Sequence, residues 1–345
     1  MDPLGFVYYL GYRYSKYSGM KKRKKLPFRT ISIGNITTGG TGKTPATIAV
    51  AEEAKRRGFS PIILTRGYRG SARGPCFVTK KLTAGEAGDE PLLMADRLRD
   101  VPVVKGGDRY KAGIFAIEEL AGGRGPGAAN RMETPQLTGP VLFILDDGFQ
   151  HWGLHRDKDI VLIDSGNPFG NGMLLPIGRL REPLASLSRA DIIVLTKKEK
   201  SGGGPDIDNI IREIRRYNPV ASLFFAEHAP VSLISISGEK ISLDRVSGKK
   251  VFAFCSVGGP ESFKKTVEST GGGLAGFKAY RDHYSYSGRD VLKIRESAER
   301  CGADWIVTTQ KDIIKIRELD PPENILVLKI EFSAGTGFFE EIFSF

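Results

Sequence analysis

The sequence contains few cysteines, few histidines and no long apolar run. Only three cysteines (Cys76, Cys255 and Cys301) occur in 345 residues, and they lie far apart. Their spacing matches neither a disulfide framework nor a zinc motif, which predicts reduced thiols in a cytosolic setting. No run of apolar residues approaches the ~20 that a membrane-spanning helix requires. The sequence therefore predicts neither a disulfide-stabilised nor a membrane-spanning protein.

Basic residues outnumber acidic ones and give a formal net charge of +11, with five positive charges in residues 21–25 alone. Such a charge suits nucleic acid, anionic lipid or a phosphorylated substrate. No recognisable nucleic-acid-binding module accompanies it, so we expect no nucleic-acid partner. The basic cluster follows the first apolar stretch instead of preceding it, so the N-terminus does not resemble a cleavable signal.

Residues 4–17 are rich in aromatic side chains and are followed directly by the basic cluster. Aromatic rings beside lysines are typical of a helix at a membrane surface, because the rings lie at the headgroup level and the cations bind anionic lipid. The alternative is a helix packed on the body of the protein, followed by a solvated basic tail. The residues alone leave both interpretations open.

The stretch ISIGNITTGGTGKTP, residues 31–45, combines a short strand, a glycine-rich turn, the tripeptide Gly-Lys-Thr and the start of a helix. This order is typical of a phosphate-binding P-loop. Lys43 would bind the β- and γ-phosphates, and the hydroxyl of Thr44 would bind Mg²⁺. The alternative is an ordinary glycine-rich turn between a strand and a helix.

One residue departs from the usual P-loop pattern, because Thr37 occupies the place of the first glycine. We expect the loop to close around Gly39 and Gly40, whose N–H groups can approach phosphate oxygens. The predicted nucleotide-binding segment consists of Thr37, Thr38, Gly39, Gly40, Thr41, Gly42, Lys43 and Thr44.

Fully apolar strands alternate with helical patterns through the first two thirds of the chain, which predicts a P-loop NTPase-like, doubly wound parallel sheet of the α/β class. Short alternating stretches then predict a two-stranded β-hairpin linker before a second, smaller α/β lobe. Residues 121–140 lack periodicity and are interpreted as a surface insertion. The predicted segments are an N-terminal segment at 1–28, a P-loop domain at 29–230, the linker at 231–250 and the C-terminal lobe at 251–345.

Carboxylates at two places in the sequence are candidates for the active site. Asp146 and Asp147 come directly after the apolar strand 141–145, the place where P-loop proteins hold Mg²⁺. We expect one of them to be a ligand and the other to orient or cap its neighbours. Asp89, in the sequence GDEP, is either the N-cap of the following helix or a general base beside the γ-phosphate.

Histidines and arginines offer further candidates. His151 and His155 are four residues apart, which on a helix would suit a metal ion, but Gly153 between them favours two independent histidines. His283 lies in a polar turn and is either a plain loop residue or a group facing a cleft. Arginines near strand ends would suit phosphates, or are ordinary surface residues; they are Arg66, Arg109, Arg179 and Arg181.

Seven motifs occur in an order that resembles one family. They are GGTGKTP, TRGY, GDEP, LDDGFQHW, LLPIGRLREP, DHY and TTQKD, and they extend from about residue 30 to about residue 315. In this order they resemble the tetraacyldisaccharide 4'-kinases, the lipid A kinases of Gram-negative bacteria. The resemblance implies transfer of the γ-phosphate of ATP, with Mg²⁺, to the 4'-hydroxyl of an acylated disaccharide 1-phosphate. It also implies peripheral attachment to the cytoplasmic face of the inner membrane.

The resemblance also implies roles for individual residues. Asp89 becomes the catalytic base, paired with His283, while Lys43 and Asp147 take part in catalysis. Thr44, Asp146 and Asp147 become the Mg²⁺ side of the site, and residues 1–25 become a membrane-docking segment. No obligate protein partner is implied. The residues implied on the active-site or substrate side are Arg66, Tyr68, Arg109, Gln150, His151, Arg181 and Glu182.

Two other classes of protein fit the motifs without the resemblance. One is a P-loop NTPase that acts as a switch or a metal-insertion chaperone and hydrolyses nucleotide without a lipid substrate. The absence of a Cys-x-x-Cys motif and of a clean guanine-recognition motif counts against it. The other is a peripheral membrane-binding module whose nucleotide site is only regulatory.

Overall fold

The computed structural model describes residues 3–68, 70–72, 74–79, 81–122, 137–196 and 206–344. It contains two compact units. Unit 1 consists of Met1–Glu227 together with Phe332–Phe345, and unit 2 consists of His228–Glu331.

Unit 1 is built on a mostly parallel sheet. Its strands, in chain order, are β1 (Arg29–Gly34), β2 (Ser60–Thr65), β3 (Cys76–Phe77), β4 (Val103–Lys105), β5 (Val141–Asp146), β6 (Lys158–Asp164), β7 (Ile192–Thr196) and the start of β8 (Ser222–Ser235). Their order across the sheet is β8-β7-β6-β1-β5-β2-β4-β3. Only the β3–β4 pair within this order is antiparallel. β1 lies between β5 and β6, so the loop that follows β1 is at the centre of the sheet.

The central strands are buried along their whole length. Every residue of β2, β5 and β7 is buried, which is the pattern of parallel strands covered on both faces. Alternate residues of β2 and β5 pack with one helix, so that Ile62, Leu64, Phe143 and Leu145 share a cluster with Ala112 and Ala116. The sheet is therefore a rigid base for the loops at its carboxyl edge.

Helices cover the sheet of unit 1. They are α1 (Pro3–Lys21), α2 (Lys43–Arg56), α3 (Ala84–Ala87), α4 (Asp89–Arg97), α5 (Arg109–Gly122), α6 (Ile207–Tyr217) and α10 (Thr336–Phe343), with a 3-10 helix at Leu184–Arg189. α2 packs on β2 and β5. None of the helices in the described residues has the length and hydropathy that crossing a bilayer requires.

Helix α1 has two different faces. Its inner face contacts the body of unit 1, because the Tyr8 hydroxyl donates to the carbonyl of Arg181 (2.9 Å) and the hydroxyls of Tyr12 and Ser186 lie 3.0 Å apart. Its outer face carries apolar and aromatic side chains that are each at least 50% exposed, namely Leu4, Phe6, Val7, Leu10, Tyr14, Tyr17 and Met20. Both faces are apolar, which explains why the sequence shows a broad apolar arc without a clear polar side.

Unit 2 contains a smaller group of parallel strands. Its strands are β10 (Lys250–Cys255), β11 (Gly273–Ala279), β12 (Trp305–Thr309) and most of β13 (Ile325–Ala334), in the order β11-β10-β12-β13. Its helices are α7 (Pro260–Glu268), α8 (Gly288–Arg300) and α9 (Gln310–Ile316), with a 3-10 helix at Leu243–Val246. The end of β8 pairs antiparallel with β9 (Lys240–Ile241) within the stretch predicted as a hairpin.

The predicted fold class is confirmed: a doubly wound parallel sheet is accompanied by a second, smaller α/β unit. The boundaries of the units differ from the predicted segments. Residues from Phe332 onward belong to unit 1, whereas the sequence placed them in the C-terminal lobe. The reason is the packing of α10, where the ring of Phe338 contacts Phe224 and Phe332. Most of the predicted insertion, residues 123–136, lies outside the described residues.

Candidate active site

The turn between β1 and α2 has the backbone conformation of a phosphate-binding loop. Gly39 (φ 119°) and Gly42 (φ 84°) both adopt a positive φ, which a residue with a Cβ rarely does. Gly42 immediately precedes α2, so Lys43 and Thr44 begin the helix. The helix N-terminus offers N–H groups and the positive end of the helix dipole. A Cβ added at Gly40 would meet nothing within 4 Å, so the backbone there is open to a ligand.

The first half of the loop pairs with the backbone of residues 179–181, far along the chain. Thr37 forms an antiparallel bridge with Leu180, and the N–H of Thr38 donates to the carbonyl of Arg179 (2.7 Å). This pairing needs extended backbone, which threonine favours. It explains how the loop keeps its shape with Thr37 where a glycine is usual.

Side chains hold the loop at two further points. The amide nitrogen of Asn35 donates to the hydroxyl of Thr41 (3.0 Å). The guanidinium of Arg179 donates to the carbonyl of Thr38 through Nε (3.2 Å) and Nη2 (2.9 Å). It lies so close to Gly39 that a Cβ there would clash with Nη2. A positive charge therefore lies directly on the glycines of the loop.

Asp146, the last residue of β5, is buried beside the loop. One of its carboxylate oxygens accepts a hydrogen bond from Thr47 (3.3 Å) and the other from Thr65 (3.2 Å). Burial, followed by the negative charges of Glu90 and Asp147, raises the pKa of Asp146 to about 7. The two hydroxyls fix both oxygens in place.

Asp147 has the opposite electrostatic environment. Nη1 of Arg181 lies 2.8 Å from both of its carboxylate oxygens, and Nζ of Lys43 lies 3.6 Å from one of them. Burial by itself raises the pKa of Asp147, but the charges of Lys43 and Arg181 outweigh it, so the pKa lies below its usual value. Asp147 adopts a left-handed backbone conformation (φ 52°), which turns the chain sharply after β5. The site therefore contains one firmly ionised carboxylate and one that titrates near neutrality.

The donor set at this point fits Mg²⁺. The three predicted ligands, Thr44, Asp146 and Asp147, offer one hydroxyl and two carboxylates, all of them oxygen donors. Mg²⁺ is usually bound by one or two protein carboxylates together with waters and substrate phosphates, not by a cage of protein ligands. Among the described residues, no group of three or more His, Cys, Asp or Glu side chains could hold a metal ion by itself.

Arg109, the first residue of α5, is a buried cation at the same side of unit 1. It is 4% exposed, and its Nη1 donates to the carbonyl of Gly107 (2.9 Å). Within the described residues, its buried Nε has no hydrogen-bond partner. Burial, followed by the charge of Arg66, lowers the pKa of Arg109 to about 10. A buried guanidinium with an unpaired donor is suited to an anion, so Arg109 fits a phosphate group.

Arg66 and Tyr68 lie in the exposed turn after β2. The turn rests on the side chain of Lys105, which contacts the position that a Cβ at Gly67 would occupy. The ammonium of Lys105 also donates to the carbonyl of Glu86, shortly before α4. Lys105 thus connects the turn after β2 with the segment that precedes Asp89.

Asp89 is half-buried and is the first residue of α4. The N-cap position belongs to Gly88, whose φ of 96° excludes most other residues. The interpretation of Asp89 as an N-cap is therefore wrong. Because Asp89 stands one residue further into the helix, its carboxylate remains a candidate for chemistry.

Gln150 and Glu182 connect the loop to the segment that carries Arg181. Nε2 of Gln150 donates to the carbonyl of Asn35 (2.8 Å) and to Oε1 of Glu182 (2.6 Å). Glu182 is fully buried, and Nη1 of Arg189 lies 3.0 Å from its Oε2. Glu182 was predicted on the substrate side; its carboxylate is enclosed by these partners and orients Gln150.

The sequence analysis missed Arg189. Its guanidinium lies between two aromatic rings, 4.0 Å from the ring centroids of Phe149 and Trp152, while it pairs with Glu182. A planar guanidinium stacks on rings in this way, whereas a lysine would not. No local pattern predicts such a contact, because the rings come from a segment about 40 residues earlier in the chain.

The two histidines His151 and His155 have different surroundings. His151 is largely buried, and burial followed by the charges of Arg109 and Arg156 lowers its pKa to about 4. His155 lies beside Asp157, with Nε2 3.5 Å from Oδ1. Among the described residues neither belongs to a metal-binding cluster. His151 is therefore a neutral group next to the arginines.

His283 belongs to unit 2, whereas Asp89 and the phosphate loop belong to unit 1. Within unit 2, His283 has a left-handed backbone (φ 59°) in the turn before Tyr284. The pairing of Asp89 with His283 stays a prediction.

Comparison with known proteins identifies the family of this chain. The chain matches the family described as Tetraacyldisaccharide-1-P 4'-kinase (LpxK) over residues 1–344. A tetraacyldisaccharide 4'-kinase of Syntrophus aciditrophicus (strain SB) is 39% identical over 310 residues, which are 86% of this chain and 77% of the relative. The corresponding enzyme of Geobacter metallireducens is 35% identical over 304 residues, 87% of this chain and 82% of the relative.

A solved structure is also similar. It is described as the "apo" form of LpxK from Aquifex aeolicus in complex with ATP, and it is 30% identical with a TM-score of 0.72. The similarity covers 99% of this chain and 96% of that one. With a family match over nearly the whole chain, this protein belongs to the tetraacyldisaccharide 4'-kinase family.

Proposed function

We propose that this protein transfers the γ-phosphate of ATP to the 4'-hydroxyl of a tetraacyldisaccharide 1-phosphate. The observation that carries the proposal is the convergence of Lys43 and Arg181 on Asp147 beside the open glycines of the phosphate loop. Family membership supplies the acceptor, because the relatives are named for this reaction. The similar structure from Aquifex aeolicus is a complex with ATP.

Positively charged side chains and N–H groups predominate at the site. Lys43, Arg181 and the N–H groups at the start of α2 would bind phosphate oxygens and stabilise the charge that develops on the transferring group. Arg109, buried with an unpaired Nε, would bind a second anionic group of nucleotide or substrate. Thr44, Asp146 and Asp147 would hold Mg²⁺, which would supply positive charge to offset that of the phosphates.

The acceptor hydroxyl must lose its proton as the reaction proceeds. Its oxygen forms a bond to the γ-phosphorus, the bond from that phosphorus to the β–γ bridging oxygen breaks, and ADP leaves. Asp89, half-buried at the start of α4, accepts the hydroxyl proton. The pairing of His283 with Asp89, which the family resemblance implies, stays a prediction. Exclusion of water from the site would favour transfer over hydrolysis of ATP.

The outer face of α1 is proposed to lie on the membrane that contains the acylated substrate. Exposed apolar side chains occupy that face, while Tyr8 and Tyr12 anchor the opposite face to unit 1. The basic residues 21–25 follow directly and would bind anionic headgroups. A helix held in this way lies in the interface and does not cross it. The membrane is proposed to be the bacterial inner membrane at its cytoplasmic face, where ATP is available.

A transfer assay tests the kinase. The full chain, Mg²⁺ and γ-labelled ATP are mixed with detergent-solubilised disaccharide 1-phosphate lipid, and the lipid is separated from free phosphate. Label should appear in the lipid, and Lys43→Ala should abolish it. Lys55→Ala on the same helix is the matched control, because Lys55 pairs with Asp100 at the surface. Label in inorganic phosphate alone would favour the switch or metal-insertion NTPase.

A flotation experiment tests the membrane face. Vesicles with anionic phospholipid should carry the protein upward, and the triple substitution Phe6→Ser, Leu10→Ser and Tyr17→Ser should reduce this. Val220→Ser is the control, because Val220 is 87% exposed outside α1. Equal flotation of both variants would contradict a membrane role for α1. Flotation without lipid phosphorylation would favour the membrane module with a regulatory nucleotide site.

A further inference from the structure

Arg181 has contacts with both helix α1 and the phosphate loop. Its backbone N–H donates to the carbonyl of Ile36, shortly before the glycines of the loop (2.8 Å). Its own carbonyl accepts a hydrogen bond from the hydroxyl of Tyr8 in α1 (2.9 Å). Its guanidinium binds Asp147, with Nη1 2.8 Å from both carboxylate oxygens. One residue therefore connects the helix that is proposed to lie on the membrane with the carboxylate beside Lys43.

The inner face of α1 contacts the same part of the chain at a second point. The hydroxyls of Tyr12 and Ser186 lie 3.0 Å apart, and Ser186 belongs to the 3-10 helix Leu184–Arg189. Tyr8 and Tyr12 are four residues apart, so they share one face of α1. Burial raises the pKa of both phenols, so Tyr8 stays a protonated donor at neutral pH. Two hydroxyls thus join α1 to residues 181–189.

The far end of the 3-10 helix is held by a charged side chain. Nη1 of Arg189 lies 3.0 Å from Oε2 of Glu182, the residue after Arg181. The guanidinium of Arg189 also stacks on the ring of Trp152, and the ring of Tyr12 meets that indole edge to face, with 6.0 Å between the ring centroids. Helix α1 therefore contacts both the segment that carries Arg181 and the aromatic ring that packs against the end of this segment.

A helix that served only to attach the protein to a membrane would not need the contact with Arg181. Exposed apolar side chains already cover its outer face, and on its inner face Tyr9 packs against a buried apolar cluster. A hydrogen bond adds direction to such packing, because its strength depends on the angle as well as on the distance. The acceptor here is the carbonyl of the residue whose side chain binds Asp147.

We propose that Tyr8 is a positioning residue for Arg181, so that the contact of α1 with unit 1 sets where the Arg181 guanidinium meets Asp147. The Tyr8 hydroxyl restrains the backbone of Arg181, and the guanidinium keeps its place as a result. Catalysis by positioned charges is sensitive to small displacements. The kinetic consequence rests on the proposed function, in which Arg181 stabilises the transferring phosphate. The restraint itself is independent of that function and is measurable without lipid.

Hydrogen exchange tests the restraint in the full-length protein, without nucleotide or lipid. Tyr8→Phe removes the hydroxyl and retains the ring, so α1 keeps its packing and its outer face. We expect the amide of Arg181, which donates to Ile36, to exchange several-fold faster, while the amides of β5 and β6 keep their protection. Tyr14→Phe is the control, because Tyr14 is 74% exposed. Unchanged exchange of the Arg181 amide, or equal loss of protection throughout unit 1, would overturn the proposal.

A double-mutant cycle tests the consequence for catalysis. In the detergent assay, where no bilayer is present, Tyr8→Phe should lower kcat about fivefold, which corresponds to roughly 1 kcal/mol, the usual net contribution of one hydrogen bond. In the Arg181→Met background the same change should have little further effect, because Tyr8 acts through the Arg181 side chain. Unchanged kcat of Tyr8→Phe would mean that α1 only docks. An equal loss in both backgrounds would mean a general structural defect. Either result would overturn the positioning role.

Two further measurements keep the outcomes distinct. If Arg181→Met turns over too slowly to measure, Arg181→Lys takes its place in the cycle, because lysine presents a single point charge and not a planar fork. Flotation of Tyr8→Phe with anionic vesicles should equal that of the wild type, since the outer face of α1 is unchanged. A wild type that labels no lipid would reject the proposed function, while the exchange result would still decide whether Tyr8 restrains Arg181.

Discussion

The phosphate loop of unit 1 and the Arg281–Tyr284 turn of unit 2 are both sharp turns after parallel strands, yet they are held in different ways. The phosphate loop relies mainly on glycines at positive φ and on backbone pairing of Thr37 with Leu180, and hydrogen bonds from the side chains of Asn35 and Arg179 add to these. The turn of unit 2 places His283 at positive φ and is held by side chains of α9. The comparison teaches that substitution of supporting side chains should affect the second turn far more than the first.

The largest effect should come from removal of the Asp89 carboxylate. Gly88 sets the backbone conformation before Asp89, so this substitution changes no side chain that supports the site. Asp89→Ala should lower kcat for lipid phosphorylation by about 10²–10⁴, the contribution of a positioned general base. Nucleotide affinity, measured by equilibrium binding, should stay nearly constant, since the phosphate loop is untouched. Asp96→Ala, later on α4, is the control. Near-normal turnover of Asp89→Ala would remove Asp89 from the role of base.

Asp312→Ala should destabilise the Arg281–Tyr284 turn of unit 2, which the side chains of α9 contact. It removes the buried carboxylate that lies 3.2 Å from the ammonium of Lys315. Removing one partner of a buried ion pair destabilises by about 3–5 kcal/mol. Hydrogen exchange should show lost protection of amides in β10 and β12, while β1 and β5 keep theirs.

The control for Asp312→Ala is Glu299→Ala, an exposed residue of α8 in the same unit. It should leave protection unchanged. Uniform loss of protection in both units after Asp312→Ala would contradict the view that Asp312 supports unit 2 alone.

The pH dependence of stability tests the surroundings of His151 in unit 1, the unit that contains the phosphate loop. The pKa of His151 is lowered to about 4 by burial and by Arg109 and Arg156, whereas in the unfolded chain it is near 6.5. Between these values the unfolded state binds more protons, so stability falls as the pH decreases from about 6.5 to about 4. The contribution is of the order of 1–3 kcal/mol, and it is fully present above pH ~6.5.

Unfolding by denaturant at several pH values, comparing wild type with His151→Gln, measures this. Asp146 has the opposite effect over a similar range: its pKa is raised to about 7 in the fold, so its contribution to stability decreases as the pH rises. Only the difference between the two proteins isolates His151. Parallel pH curves for the two would contradict a buried, neutral His151.

The sequence predicted the elements whose pattern is local. The apolar strand at 141–145 and the change from strand to helix across the glycine-rich turn at 31–45 were both predicted, because each pattern is visible within a single segment. Contacts across long sequence separations were not predictable. The pairing of Thr37 with Leu180, the stacking of Arg189 on two rings and the contact of Lys311 with His283 each join segments that no local pattern relates.

The same reasoning applies to the C-terminus. Residues from Phe332 onward were assigned to the second lobe because they follow it in sequence, but the packing of Phe338 brings them into unit 1. The order of elements along the chain predicted the class of fold. Which unit an element joins depends on its side-chain partners, and these are known only once the structure is folded.

The smallest effect should come from Thr37→Gly, which restores the usual first glycine of a P-loop. If backbone pairing with Leu180 holds this half of the loop, the substitution removes a buried side chain and adds backbone freedom, at a cost of roughly 1 kcal/mol. KM for ATP should change by less than about threefold, which corresponds to roughly 0.7 kcal/mol. A large gain in ATP affinity would mean that Thr37 obstructs the phosphate site, and a large loss would mean that its side chain holds the loop. Either result would break the contrast with the turn of unit 2, since the backbone pairing of Thr37 would then not be enough to explain the shape of the loop.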